Sequence, residues 1–443
     1  MESDRKQGDY KANSISLSGT VAMGTGVMIG AGIFALTGQM AELAGNLFPL
    51  SFIIGAIVTL FSAYSYIKMS NAWPSAGGIA MILQKCYGAG AVAAGAALLM
   101  ALSMVIAESL VARTFATYVL RFFDISGGIL VPILAVGVIF FAFIVNIAGN
   151  RSIGMISIVM AVFKIAGIGL FGGAALWASG FDFSMAQTAS SNVDGFGFVA
   201  SIAFGILAFK GFTTITNSGA EVENPHKNVG RAIVISILIC TATYLLVAFG
   251  VNASLPIDQI IAAKDYALAE AAEPALGQIG FTLTILLAAI ATASGVIASI
   301  FAVSRMLAML TDMKMIPHSH FGMSGTIQRH TLIYTVVIAS FLAIFFDLSR
   351  IASLGAFFYL VMDMLVHWGV FRNRRKEIGA SPYILIAALV FDAVVLAAFS
   401  ITKAGSDPTI VIIAWVAIAV VFAFERIYLG EWIASGGRHE HQS

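Results

Sequence analysis

Charge is what this sequence has least of. Lys and Arg number 24 and Asp and Glu 23 in 443 residues, 11% of the chain, where soluble domains carry about 25%. So few charges cannot clothe a water-facing surface around a chain that is 59% hydrophobic and has 43 glycines besides. A mean hydropathy of +0.93 excludes a soluble protein and implies a polytopic membrane protein with the lipid bilayer as its surroundings. The net charge of +1 offers nucleic acid no basic field. Cysteine is scarce too. Cys86 and Cys240 lie in or beside apolar runs without a pairing pattern, which excludes a disulfide framework and assigns both to packing. No HExxH, GxSxG or glycine-rich phosphate loop occurs, so no enzyme chemistry, metal or cofactor is expected.

Apolar runs place spans near 17–41, 47–68, 90–119, 128–148, 152–178, 196–220, 231–252, 279–310, 331–347, 350–371, 382–402 and 408–427. The first fifteen residues are polar and lack a signal-peptide core, so the first span is expected to be retained. Between the seventh and eighth spans, PIDQIIAAKDYALAEAAEPALG reads as an amphipathic helix over the outer mouth. Seventeen basic residues, among them Lys68, Arg231, Arg305, Arg372 and Arg375, fall on one side of these spans. Five fall on the other: Arg113, Arg121, Lys264, Arg350 and Lys403. The positive-inside rule then puts both termini in the cytoplasm of a multi-pass plasma-membrane protein, which requires an even number of spans.

Glycine is concentrated where a helix can least use it. Residues 24–32, GTGVMIGAG, hold four glycines in nine positions, each costing a helix about 1 kcal/mol relative to Ala. A single GxxxG would mean close packing. Glycines crowding successive turns point instead to an unwound segment, tolerable at membrane depth only where it meets a cavity or ligand. A second break is expected in the sixth span, ILAFKGFTTITNSG, at Gly211. Paired interruptions five spans apart are a pointer to a transporter built from inverted repeats with its site at the bilayer midplane.

The stretches VMIGAGIF, AFKGF, GAEVENPHKNVGRAI and SRMLAMLTDMKMIP resemble the amino acid-polyamine-organocation (APC) superfamily of permeases, and among them the ApcT-type proton-coupled amino acid transporters. The segment from Glu221 to Ile233 carries the most specific pattern. The resemblance implies an all-α integral membrane LeuT-type fold with twelve TM helices: a 5+5 inverted repeat over 17–178 and 196–371 with discontinuous first and sixth helices, and two C-terminal helices within 382–427. Segments 1–16 and 428–443 would be cytoplasmic. It further implies that Lys164, in the otherwise apolar fifth span, occupies the position where sodium-coupled relatives bind sodium. Its partners would be first-span carbonyls near Gly24 and Val27 and the eighth-span hydroxyls Ser294 and Ser299.

A lysine at that depth is costly and is a group whose proton can be lost and regained; the plainer reading is a structural ammonium on helix carbonyls. Motif alignment gives the substrate site as Met28, Ile29, Gly30, Ala31, Gly32, Leu207, Ala208, Phe209 and Lys210. The amides of residues 30–32 would meet a carboxylate, and the carbonyls of Met28, Leu207 and Lys210 an ammonium. Phe209 is the expected lid.

Glu108 in the third span is a further proton-coupling candidate. A pair with Lys210 is the preferred reading, an independent hydrogen bond the other. Asp363 and Asp392 are weaker candidates, and Asp392 reads as an aid to helix packing or an interface. With no acidic cluster besides Glu108, neutral amino acids are favoured over polyamines or arginine. The expected partners are therefore a small amino acid, protons and lipid, with exchange, a channel or a transport-dead sensor as the competing functions.

Overall fold

A computed structural model describes residues 13–75, 77–88, 90–125, 127–148, 153–181, 195–313 and 327–434. Residues 1–12 and the tail beyond 434, both expected to be cytoplasmic, lie outside the described residues, as do the loop residues Arg151, Lys314, His318 and His320.

The described chain is almost wholly helical, as lipid demands: a helix satisfies its own N–H and C=O groups where no water is available. In chain order the helices are α1 (Leu17–Ala44), α2 (Phe48–Ala72), α3 (Gly78–Tyr87), α4 (Ala91–Phe122), α5 (Leu130–Ala148), α6 (Ile153–Ala178) and α7 (Gly195–Phe209). They continue as α8 (Thr213–Asn217), α9 (Pro225–Ser254), α10 (Ile257–Ala262), α11 (Ala267–Asp312), α12 (Ile327–Phe345), α13 (Leu348–Gly369), α14 (Pro382–Ser406) and α15 (Pro408–Ala434). Among the described residues, ten stretches are long and apolar enough to cross a membrane, and Leu17–Gly30 of α1 and Arg329–Phe345 of α12 are shorter apolar stretches. Large apolar side chains stay exposed on the flanks of the bundle, such as Phe140 and Phe141 on α5, Val162 and Leu170 on α6 and Val416 and Val420 on α15. In water such faces would be liabilities; against lipid chains they are matched.

The first helix overturns one expectation. It runs unbroken from Leu17 to Ala44, started by Ser16, whose side chain accepts from Gly19 N. The glycines of residues 24–32 serve close approach on several faces at once. An added Cβ would lie 2.5 Å from Ile215 at Gly24, 3.1 Å from Ala161 at Gly26, and 2.5 Å from the Tyr244 hydroxyl at Gly32. Four neighbouring elements, α6, α7, α9 and α11, pack on α1, so small residues are needed around its whole circumference. That requirement, and no unwinding, accounts for the glycine density.

The sixth span is interrupted at the expected place. α7 ends at Phe209, a 3₁₀ turn covers Lys210–Phe212, and α8 resumes at Thr213. Gly211 is there because a Cβ would sit 2.7 Å from Met28 N.

Two further features differ in detail from the sequence reading. The outer amphipathic stretch is two pieces, α10 and the start of α11, the latter set off from the span by Gly277, at φ 68°. The short helix α3 was not anticipated, being too brief to register as a span. At the end of the bundle expected to face the cytoplasm, the signature segment forms a strap. Ser14 N and Ile15 N donate to Glu221 O, and Glu223 N donates to Ile15 O. Asn224 then takes a left-handed conformation (φ 48°) and Pro225 opens α9.

Candidate functional site

The 3₁₀ turn of the sixth span lies directly on the middle of α1. Gly211 abuts Met28, and Gly32 approaches Ala208 O, 2.9 Å from where its Cβ would be. The two segments expected to bind substrate are thus brought together, and Met28, Ile29, Gly30, Ala208, Phe209 and Lys210 are buried. The side chain of Ala31 lies outside the described residues. Tyr244 of α9 ties the two segments by donating to Met28 O at 2.6 Å, with Ala208 O at 3.2 Å. Thr213 donates to Lys210 O at 2.9 Å. Two of the three carbonyls expected for an ammonium group, those of Met28 and Lys210, therefore already accept from side chains. The amides of residues 30–32 belong to the unbroken helix.

Phe209, the expected lid, is fully buried and packs at a tilt against Tyr244, ring centroids 5.1 Å apart. Leu207 is buried too and faces Gly355 of α13, whose Cβ would be 3.5 Å from Leu207 and 3.4 Å from Ile106 of α4.

Lys164 reaches across from α6. Its Nζ donates to Gly26 O at 3.3 Å, between the two carbonyls expected, two residues after Gly24 and one before Val27. The same amine lies 3.8 Å from where a Gly30 Cβ would be, a point 3.8 Å from Ala291 O and 4.0 Å from Gly295 Cα of α11. Lys164 thus stands between α1 and α11, with a single long hydrogen bond and an exposure of 3%. The eighth-span hydroxyls do not hold it. Ser294 turns back to its own helix, donating to Ala291 O at 3.0 Å, because a serine inside a helix finds the carbonyl three or four residues back closest. Ser299 lies two turns beyond Ala291, too far along α11 to join it.

Lys210 is held quite differently. Its Nζ donates to Ser103 O at 2.7 Å and Ser103 Oγ at 2.6 Å on α4 and lies 5.7 Å from the centre of the Tyr359 ring of α13. The expected pair with Glu108 is not formed. Glu108 is completely buried, and neither carboxylate oxygen has a hydrogen-bond partner among the described residues. It stands five residues after Ser103, which a helix turns well away from Lys210. Val111, one turn on from Glu108, packs on Gly295, 3.3 Å from its would-be Cβ. The face of α4 that carries Val111 thus packs on α11 beside Gly295.

Near the end where α7 and α13 begin, a cavity of about 670 Å³ is lined by Glu42, Asp258, Lys264, Arg350, Lys403 and Asp407, with Gly197 and Ser353 at its wall. Lys264 pairs with Glu42 at 2.5 Å and Arg350 with Asp407 at 2.7 Å. Hydrogen bonding from Arg350 holds the Asp407 carboxyl below the usual carboxylate range. Ten residues separate Gly197 from Leu207, so this vestibule lies about 15 Å from the segment at the α7 break. Tyr244, Ser103 and Tyr359 were missed by sequence reasoning. The one signal available was a hydroxyl in the middle of an apolar span.

The model of the amino acid permease family matches residues 15–425. The chain belongs to the amino acid permease family. It is 26% identical to the inner membrane transport protein YbaT of Escherichia coli over 94% of this chain and 97% of that one. It is 27% identical to the branched-chain amino acid permease BcaP of Lactococcus lactis over 81% of each. With the serine/threonine exchanger SteT of Bacillus subtilis it shares 22% over 90% of this chain and 94% of that one. This permease is thus related along nearly its full length to proteins named for transport.

Proposed function

We propose that this permease moves small neutral amino acids across the plasma membrane by alternating access, coupled to protons and independent of sodium. In this reading the chain crosses the membrane twelve times on a LeuT-type frame, its repeats spanning 17–178 and 196–371 and both termini cytoplasmic. The observation that supports it is Lys164: an amine buried at membrane depth, with one long bond among the described residues to a carbonyl of α1 and beside α11, at the position where the family resemblance puts a sodium ion in sodium-coupled relatives. Charged, it draws α1 toward α6 and α11; neutral, it releases them. Glu108, buried in α4 and without a hydrogen-bond donor among the described residues, is the second group we assign to take a proton.

Substrate would enter from the charged vestibule, whose acidic and basic groups suit a zwitterion, pass Leu207 and reach the α1–α7 contact. There the ammonium competes with Tyr244 and Thr213 for the carbonyls of Met28 and Lys210. The carboxylate meets the amides of Gly30, Ala31 and Gly32 once α1 opens at its glycines. Relatives named for branched-chain amino acids and for serine and threonine favour neutral substrates. Exchange of one amino acid for another is the second reading, favoured by the exchanger among those relatives.

The test is uptake into proteoliposomes of a panel of labelled amino acids, with and without an inward proton gradient and with choline in place of sodium. Accumulation of neutral amino acids that needs the gradient and ignores sodium is expected. Uptake that needs internal amino acid and ignores the gradient would establish exchange instead.

A further inference from the structure

Three helices meet at a second polar centre, apart from the α1–α7 contact. Asp363 and His367 stand one turn apart on α13, Asp392 faces them from α14, and all three side chains are wholly buried. His367 Nε2 lies 3.5 Å from Asp363 Oδ1 and 3.4 Å from Asp392 Oδ2, and one ligand atom from each of the three falls within 4.8 Å of the others. These separations are long for hydrogen bonds. His367 Nε2 and both oxygens of Asp392 have no hydrogen-bond partner among the described residues, and Nε2 faces one carboxylate oxygen of each aspartate.

The surroundings, by contrast, are fully organised. Ser65 of α2 is 2.8 Å from His367 Nδ1, which leaves Nε2 as the free face of the ring. Tyr66 and Ser62 of α2 donate to Asp363 Oδ1 and Oδ2 at 2.5 and 2.6 Å.

We propose that Asp363, His367 and Asp392 form a buried site for a first-row divalent cation of the Zn²⁺ kind, clasping α2, α13 and α14. Geometry supports it first. A tetrahedral ion with arms of about 2.0–2.1 Å sets its ligand atoms about 3.4 Å apart, the spacing seen from Nε2 to each carboxylate. Charge supports it next: two carboxylates and a neutral imidazole balance a dication, so the centre carries no net charge at membrane depth. The partners of the ligands complete the case, since metal-binding histidines and carboxylates are characteristically oriented through their other polar atoms, as Ser65, Tyr66 and Ser62 orient these. One imidazole with two oxygen ligands suits Zn²⁺, Mn²⁺ or Co²⁺. The clasp also reaches the transport machinery. The Tyr66 ring packs edge-on against Phe212 of the 3₁₀ turn at 5.3 Å, and Tyr359, one turn from Asp363, lies under Lys210.

The probe is Co²⁺, titrated into the purified full-length chain in detergent after chelator treatment and followed by visible absorption and thermal unfolding. The wild type is expected to show the intense absorption of tetrahedral Co²⁺, displaced by Zn²⁺, with either metal raising the unfolding temperature of the stripped protein. Asp392→Asn should abolish the signal. Ser65→Ala, which keeps all three ligands, should weaken binding about 10–100-fold, with the metal still raising the unfolding temperature above that of its own stripped form. Absence of the tetrahedral signal in the wild type would overturn the proposal. So would a signal unchanged in Asp392→Asn, which would place the metal elsewhere, for instance on His439 and His441 of the tail.

Discussion

Lys164 and Lys210 are both lysines at membrane depth, 3% and 6% exposed, yet their surroundings are opposite. Lys210 is fixed by two bonds to Ser103, at 2.6 and 2.7 Å, and by the Tyr359 ring. Lys164 has one 3.3 Å bond to Gly26 O. Burial alone therefore does not mark a coupling residue. A buried cation with its donors satisfied behaves as a strut joining helices, whereas one with donors left over can change partners as it gains or loses a proton. On this view Lys210 holds the sixth-span turn against α4, and Lys164 is the group that moves.

Four changes sharpen or break that contrast. The largest effect is expected from Lys164→Met: gradient-driven accumulation is lost while binding of substrate, read by its protection against thermal unfolding, persists. Lys210→Met should do the reverse, lowering stability by about 1–3 kcal/mol through the unpaired groups it leaves on Ser103, with the dependence of uptake on the gradient retained in whatever protein folds. Gly26→Ala puts a Cβ 3.1 Å from that of Ala161, pushing α6 from α1 and lengthening the bond from Lys164. Overpacking of this kind costs about 1–3 kcal/mol, and the pH dependence of uptake should weaken several-fold without the loss seen in Lys164→Met.

Asp407→Asn at the vestibule should matter least. A pair this close to the surface contributes under about 1 kcal/mol. Because its carboxyl is held below its ordinary range, that contribution is present above the unfolded value of about 3.9. It is lost as pH falls through the lower folded one. The difference between wild type and Asp407→Asn should therefore vanish in acid.

The spans were legible because lipid leaves a chain no alternative to apolar helices, and eleven per cent charge cannot be arranged otherwise. The break at Gly211 was legible for a related reason: a Lys-Gly pair and a run of hydroxyls inside an apolar stretch have no place in an ordinary span. The same kind of signal misled at residues 24–32. Glycine density shows that something comes close but not what it is, and unwinding and packing on four sides leave the same residues behind. Glu108 and Lys210 invited pairing as opposite charges in neighbouring spans, but the five residues between Ser103 and Glu108 turn the carboxylate to another face of α4. Tyr244 was invisible because its partners are backbone carbonyls of residues 28 and 208, which carry no sequence signature. Asp363 and Asp392 stood out separately in the sequence, and only the crossing of α13 with α14 brings both to His367.

Proton coupling through Lys164 is tested most directly by the proton itself. Proteoliposomes loaded with a pH-sensitive dye, in sodium-free medium and with membrane potential clamped, are given an outside pulse of the best neutral amino acid found in the uptake panel. Acidification of the lumen by the wild type and none by Lys164→Met is the expected result. Equal acidification by both, or accumulation by the wild type with no proton entry, would contradict it.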